Sequence, residues 1–140
     1  MTTNVPAYNK PVPVPDEVSK PFYEGARQRK LMIQKCAECG VPIWPVKPRC
    51  DNCGSAEISW IQASGKGRLY SFTLVHQLYH PGFADEMPYN YAEVSLDEGF
   101  RIPSNIVGCP NSELKIGMAL EVTFADISES VTLPRFKPAG

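Results

Sequence analysis

The chain has 140 residues, with 14 Lys and Arg against 15 Asp and Glu, so its formal net charge at pH 7 is -1. This length suits one domain or two very small modules. The near-neutral balance lacks the basic excess of a strong nucleic-acid binder. No apolar run approaches the roughly 20 residues of a membrane helix, and the first ten residues do not resemble a signal peptide. We therefore expect a cytoplasmic protein without a membrane segment.

The N-terminal segment is rich in proline, with five of the chain's 14 prolines among the first 21 residues. Residues 1–15 are therefore predicted to form an extended arm of polyproline character. A short helix is predicted over about 19–30, because Ser19 suits its N-cap and cations crowd its last turn.

Four cysteines follow the spacing C-x2-C-x10-C-x2-C, within the segments CAECG and CDNCG. They are Cys36, Cys39, Cys50 and Cys53. Two C-x2-C turns facing each other offer the tetrahedral thiolates that zinc prefers, and a closed four-thiolate site is structural rather than catalytic. Gly40 and Gly54 follow the turns, where the chain must reverse with positive φ. The spacing predicts structural zinc, with iron as the alternative metal.

Other residues near the cysteines have two interpretations each. Lys35, Lys47 and Arg49 flank the predicted ligands and either offset the charge of a zinc–thiolate centre or form plain solvated surface. The fifth cysteine, Cys109, is interpreted as a small, partly buried apolar residue, because no motif supplies a base beside it.

The remaining pattern predicts strands. Three short segments around the cysteines have the layout of a zinc ribbon: 31–34, 41–46 and 58–62. After the small-residue break ASGKG at 63–67, five further strands are predicted at 68–79, 89–96, 100–108, 119–127 and 130–136. They suit a small closed barrel of the OB type, and a sandwich fragment is the alternative.

The predicted fold is therefore mainly β, with an N-terminal helix and a rubredoxin-like four-cysteine zinc ribbon followed by a five-stranded OB-fold barrel. Its predicted parts are an extended Pro-rich arm (1–15), the helix and ribbon (16–63) and the barrel (64–140).

A self-contained active site is not evident in the sequence. His76 and His80 are the two histidines, and the acidic pairs at 85–86 and 97–98 lie in a loop and a turn, where carboxylates are usually solvated. The loop at 80–88 and its flanks are rich in aromatic residues and Met. These side chains serve either local packing or contact with a partner.

The order of these pieces resembles a known family. The helix, the CAECG and CDNCG turns, the GKG break, the PGF loop, the DEG hairpin, the IGM turn and the final LPRFKP are similar to the acyl-CoA-associated zinc-ribbon/OB-fold proteins, domain-of-unknown-function family 35. The resemblance covers about residues 19–138.

The resemblance implies a partner function. Family members commonly accompany thiolase-like proteins, and some accompany hydratase-fold subunits. It implies a non-catalytic, zinc-binding subunit of a thiolase-fold enzyme that acts on a CoA thioester, by thiolysis of β-ketoacyl-CoA, acyl transfer or retro-aldol cleavage. Phe83, Tyr91 and His76 are the candidate contacts with the partner or the acyl-CoA. The alternatives are a single-stranded nucleic-acid-binding protein and a stand-alone acyl-CoA enzyme.

Overall fold

The computed structural model describes residues 10–139, so most of the predicted arm lies outside the described residues. One helix is followed by two antiparallel sheets. In chain order the elements are α1 (Lys20–Arg27), β1 (Met32–Cys36), β2 (Pro42–Ile43), β3 (Ile58–Gln62), β4 (Lys66–Val75), β5 (Tyr89–Leu96), β6 (Arg101–Ser104), β7 (Ala119–Asp126) and β8 (Thr132–Pro138). The α-helix in this part of the chain is neither long nor apolar enough to cross a membrane.

Helix α1 is shorter than the predicted helix over 19–30, because the chain leaves it tightly. The backbone N–H of Lys30 donates to the Gly25 carbonyl at 2.8 Å, and Arg29 adopts a left-handed φ of 63°. A Cβ at Gly25 would lie 2.3 Å from Met32 Cγ, so a larger residue there would force Met32 or the turn to shift. Ser19 occupies the N-cap as predicted, but its hydroxyl accepts from the backbone N–H of Asp16 (3.0 Å) rather than from the helix.

The first sheet is the predicted ribbon, with strand order β2-β1-β3. The central strand β1 pairs along its whole length with β3, from Met32 opposite Gln62 to Cys36 opposite Ile58. Strand β2 is two residues long and pairs with the end of β1. The central strand therefore delivers its last residue, a predicted metal ligand, to the end of the sheet.

The second sheet curls into an OB-fold half-barrel with strand order β6-β5-β4-β7-β8. Strand β4 is the long first strand, and a register shift between Leu69 and Ser71 bends it. The outer strands approach each other at one end through the parallel bridge between Ile106 and Phe136. There the Val107 N–H donates to the Phe136 carbonyl at 2.8 Å. The predicted mainly β fold with ribbon and OB fold is confirmed.

One hydrophobic core joins the helix, the ribbon and the barrel. Its buried side chains come from all three parts and include Phe22 of α1, Ile33 of β1, and Leu69, Val94 and Phe136 of the barrel. A smaller cluster lies at the cysteine end of the ribbon. The ribbon and the barrel are therefore packed on each other rather than tethered by a flexible linker.

Two polar contacts fasten the junction between the ribbon and the barrel. Both guanidinium nitrogens of Arg29 donate to the Asp126 carboxylate at 2.8 Å, and the Thr132 hydroxyl donates to the same carboxylate at 2.6 Å. On the other connection, Gly65 has a φ of 79°, and its carbonyl accepts from the Val122 N–H at 2.7 Å. The predicted break at 63–67 is thus a turn with a fixed conformation, and we call it the hinge.

The barrel strands differ from the prediction at their ends. Strand β4 ends at Val75 rather than residue 79, and the predicted loop at 80–88 contains a 3-10 turn over Pro81–Glu86. His80 supplies the reason, because its Nδ1 accepts from the Gly82 N–H at 2.9 Å and caps the turn.

Candidate metal centre and its surroundings

The two C-x2-C turns, which we call knuckles, repeat the same backbone hydrogen bonds. In the first, the Gly40 N–H donates to the Cys36 carbonyl at 3.0 Å, and in the second the Gly54 N–H donates to the Cys50 carbonyl at 2.8 Å. The two glycines have φ values of 80° and 77°, as the sequence predicts. Each knuckle is therefore a tight reversal that a residue with a Cβ adopts only with strain.

The knuckles bring four sulfur atoms together. Cys36 and Cys39 come from the first knuckle, Cys50 and Cys53 from the second, and all four Sγ atoms lie within 4.8 Å of one another. The Cys36–Cys53 and Cys39–Cys50 Sγ separations are 3.5 and 3.6 Å. Zinc–sulfur bonds of about 2.3 Å in a tetrahedron place sulfurs about 3.8 Å apart. The cluster therefore fits a four-thiolate metal ion.

Backbone and amide N–H groups point at the sulfurs. The Cys39 N–H lies 3.4 Å from the Cys36 Sγ, the Asn52 N–H lies 3.3 Å from the Cys50 Sγ, and the Asn52 amide lies 3.5 Å from the Cys39 Sγ. Such donors stabilise thiolates, which are the form that binds metal.

The thiols differ in how readily they ionise. The backbone N–H of Val41 and then the Asn52 amide lower the pKa of Cys39 to about 6. The Ser55 backbone N–H acts to lower the pKa of Cys53, but the neighbouring Cys36 thiol and burial outweigh it and raise that pKa to about 12. Sulfurs this close resist carrying four negative charges together, and a bound dication would offset that repulsion.

A buried glutamine braces the approach to the second knuckle. Gln34 of β1 is 3 % exposed. Its side-chain amide donates to the Lys47 carbonyl and its carbonyl accepts from the Lys47 N–H, both at 2.8 Å. This pair replaces the missing strand partners of the segment before Cys50. This role of Gln34 could not be predicted from the sequence, because a lone polar residue in an apolar strand carries no local signal of its partner.

The basic residues beside the cysteines have different surroundings. Lys47 forms an ion pair with Asp51, so its charge is already offset, while Arg49 donates to the Gly54 carbonyl at 3.1 Å. Lys35 is exposed on β1. Lys47 and Arg49 therefore both contact the second knuckle, the first through a side chain and the second through a backbone carbonyl.

The three predicted contact residues lie in different settings. Phe83 is half-buried, with its ring centroid 5.0 Å from that of Tyr89 on β5 and with the Lys10 ammonium group over its face. Tyr91 is half exposed on β5. His76 is exposed just beyond the end of β4. Tyr91 lines a groove at the open side of the half-barrel, and neither of the other two residues is part of that lining.

The groove, which we call the seam groove, lies between α1, the ribbon and the outer strands β6 and β8. It has a volume of about 300 Å³. It is lined by Phe22, Tyr23, Trp44, Tyr91, Ile102, Pro103, Ser104, Asn105, Leu133, Pro134 and Arg135. The seam groove could not be predicted from the sequence, because its walls come from segments far apart in the chain.

Family models match both halves of the chain. The model of the ChsH2 rubredoxin-like zinc ribbon domain matches residues 24–59, and that of the ChsH2 C-terminal OB-fold domain matches residues 60–125. The segment that matches the zinc ribbon model contains both knuckles.

Three relatives agree with these models. A probable enoyl-CoA hydratase alpha subunit of Thermomonospora curvata is 37% identical over 138 residues, which is 99% of this chain and 43% of the relative. This chain thus spans less than half the length of that relative. A DUF35 domain-containing scaffold protein of Methanocaldococcus jannaschii is 35% identical over 71% of this chain and 70% of its own. The benzoylsuccinyl-CoA thiolase subunit BbsA of Thauera aromatica is 28% identical over 110 residues.

A solved structure shares the fold. A chain of the Ltp2-ChsH2(DUF35) aldolase is 37% identical, with a TM-score of 0.82 over 92% of this chain and 100% of that one. The fold and the cysteine cluster define a zinc-ribbon/OB-fold protein. The chain belongs to the ChsH2/DUF35 family, as the sequence resemblance indicated.

Proposed function

We propose that this chain is a non-catalytic, zinc-binding accessory subunit of a thiolase-fold enzyme that acts on a CoA thioester. The observation that carries the proposal is the match to a chain of the Ltp2-ChsH2(DUF35) aldolase, which this chain covers over its full length. Two relatives support the proposal by their names. BbsA is named as a subunit of a thiolase, and the M. jannaschii relative is named as a scaffold protein. The reaction would be thiolysis of a β-ketoacyl-CoA, acyl transfer or retro-aldol cleavage.

The reactive side chains of the described residues support catalysis by the partner. Four of the five cysteines point at one another. Burial, and then the charge of Glu113, raise the pKa of the remaining Cys109, which opposes its use as a nucleophile. His80 is engaged in capping its turn. These observations support a nucleophile and base supplied by the thiolase-fold subunit in the proposed complex.

Zinc held by Cys36, Cys39, Cys50 and Cys53 would act as a structural ion. The ribbon has a small apolar cluster around its cysteines, so metal binding would supply much of its folding energy. In the proposed complex the ribbon and α1 dock on the partner, and the barrel lies near the acyl-CoA entrance. The setting would be the cytoplasm.

We assign partner or acyl-CoA contact to Tyr91, Phe83 and His76 with different expectations. Tyr91 has the exposed ring, so Tyr91→Ala should weaken partner binding or raise KM. Tyr70→Ala is a matched control, because the two tyrosines are 50% and 51% exposed on neighbouring strands. Phe83→Ala and His76→Ala should have smaller effects, since Phe83 packs locally. If partner pull-down and KM were the same for all four variants as for the unchanged protein, these contacts would be refuted.

The decisive experiment is co-purification of the tagged chain from its native host. Mass spectrometry identifies the partner, and metal analysis counts zinc. We expect a thiolase-fold protein in near-stoichiometric amount, about one zinc per chain, and turnover of a CoA thioester that needs both proteins. A lone zinc-loaded chain would refute the proposal. Salt-dependent binding of single-stranded nucleic acid would then favour one alternative, and turnover by the chain alone the other.

A further inference from the structure

The seam groove has an apolar interior and one cation at its edge. Phe22, Trp44 and Leu133 contribute apolar surface from the helix, the ribbon and the barrel, and Ile102 forms its floor at 2% exposure. Its volume of about 300 Å³ is at the lower end of the range for small-molecule sites. The groove is therefore large enough for a small aromatic molecule.

The cation is Arg135 of β8, which is half-buried. Within residues 10–139 no carboxylate lies within ion-pair distance of its guanidinium, and it has no hydrogen-bond partner there. Arg29, by contrast, is paired through both nitrogens with Asp126. A half-buried guanidinium without an anion is a site for one, since its planar donors match an oxyanion.

The groove borders a smaller polar pocket at Arg135. This second pocket, of about 180 Å³, shares Asn105 and Arg135 with the seam groove. Its other polar lining residues are Asn90, Asn111 and Glu86, whose carboxylate forms an ion pair with Lys10. Asn90 and Asn111 are joined by a hydrogen bond of 3.0 Å. Arg135 thus lies between the mainly apolar lining of the seam groove and a polar pocket of amide groups and one paired carboxylate.

The edges of the groove do not suit an added β-strand. The outer strands carry Pro103 and Pro134 in the groove lining, and proline has no N–H to donate to a new neighbour. An occupant would be held by ring and methyl contacts and by its charge rather than by backbone hydrogen bonds. This favours a small molecule over an extended peptide.

We propose that the seam groove binds a small amphipathic anion, with an apolar ring-sized group between Phe22, Trp44 and Leu133 and an oxyanion on the Arg135 guanidinium. The site goes beyond the accessory role, because all of its walls belong to this chain. Its test needs no partner, so its failure would leave the proposed function standing.

The test uses the zinc-loaded full chain and two fluorescent probes. The first is 1-anilinonaphthalene-8-sulfonate, and the second is N-phenyl-1-naphthylamine, which has the same rings without the sulfonate. We expect saturable one-to-one binding of the anionic probe. Arg135→Gln should weaken that binding about tenfold, as the loss of a charge-assisted contact implies, and should leave the neutral probe unaffected.

Three further variants make the result decisive. Arg135→Lys keeps the charge and should retain most of the affinity. Arg101→Gln removes an arginine that stacks on Tyr70 outside the groove and should change nothing. Ser104→Trp should fill the groove and abolish binding of both probes, with circular dichroism confirming the fold of each variant.

The outcomes separate cleanly. Non-saturable binding, equal losses for Arg135→Gln and Arg101→Gln, or equal weakening of both probes by Arg135→Gln would overturn the proposal. Binding that persists in a folded Ser104→Trp variant would overturn it as well, because the probe would then lie elsewhere.

Discussion

Replacing Gly65 with alanine should destabilise the protein through two separable effects. Gly65 lies at the hinge between the ribbon and the barrel with a φ of 79°. A Cβ there would lie 2.5 Å from Val122 Cγ1, inside any real contact distance. Valine is stiff at χ1 and cannot swing the methyl group aside freely. The hinge or strand β7 must therefore shift.

The magnitude follows from the two terms. A left-handed conformation costs a residue with a Cβ about 1–2 kcal/mol. Overpacking costs about 1–3 kcal/mol. We expect Gly65→Ala to lower the free energy of unfolding by about 2–5 kcal/mol. Each kcal/mol lost should lower the melting temperature by about 2–4 °C. Gly117→Ala is the matched control, because Gly117 has a φ of 90° and an open space where Cβ would be.

A double-mutant cycle isolates the clash. Val122→Ala removes the methyl group that the new Cβ would meet, so Gly65→Ala with Val122→Ala should cost about 1–3 kcal/mol less than the two single changes together. The assay is chemical denaturation of the zinc-loaded protein followed by circular dichroism. The reasoning fails if Gly65→Ala costs no more than Gly117→Ala, or if the cycle is additive within about 0.5 kcal/mol.

Three more predictions concern the centre and the junction. Cys50→Ser should abolish stoichiometric zinc and unfold the ribbon, whereas Cys109→Ser should keep full zinc content by metal analysis. Gln34→Leu should destabilise the zinc-loaded protein by about 1–3 kcal/mol, because two backbone groups of Lys47 lose their partner; equal denaturation midpoints would contradict this. The Arg29 side chain lowers the pKa of Asp126, so this carboxylate contributes stability above its unfolded pKa of about 3.9 that is lost as the pH falls further. Asp126→Asn should therefore reduce the acid dependence of the melting temperature, and an unchanged pH profile would count against the ion pair.

Features with a local cause could be predicted from the sequence. Glycine after each C-x2-C turn predicted the knuckle geometry, since the required φ is set within a few residues. Strand β5 was predicted with its observed bounds, Tyr89–Leu96. Its alternating pattern ends at a turn where Gly99 has a φ of 99°.

Features that depend on distant contacts could not be predicted. The helix was predicted to end three residues too late, because its end depends on Met32 packing against Gly25. The seam groove brings Phe22 and Arg135 together from opposite ends of the chain. The assignment of Phe83 and His76 to a contact surface stays a prediction, as do the boundaries of the arm, the ribbon and the barrel.

Each knuckle contributes one inner and one outer sulfur. Cys36 and Cys50 are 1% and 3% exposed, while Cys39 and Cys53 face the surface. A chelator or an oxidant would therefore meet the second cysteine of each knuckle first, while the first keeps its hold on the ion. Loss of metal would therefore begin with the bonds from Cys39 and Cys53. The rate of metal exchange would report how often these two outer sulfurs dissociate from the ion.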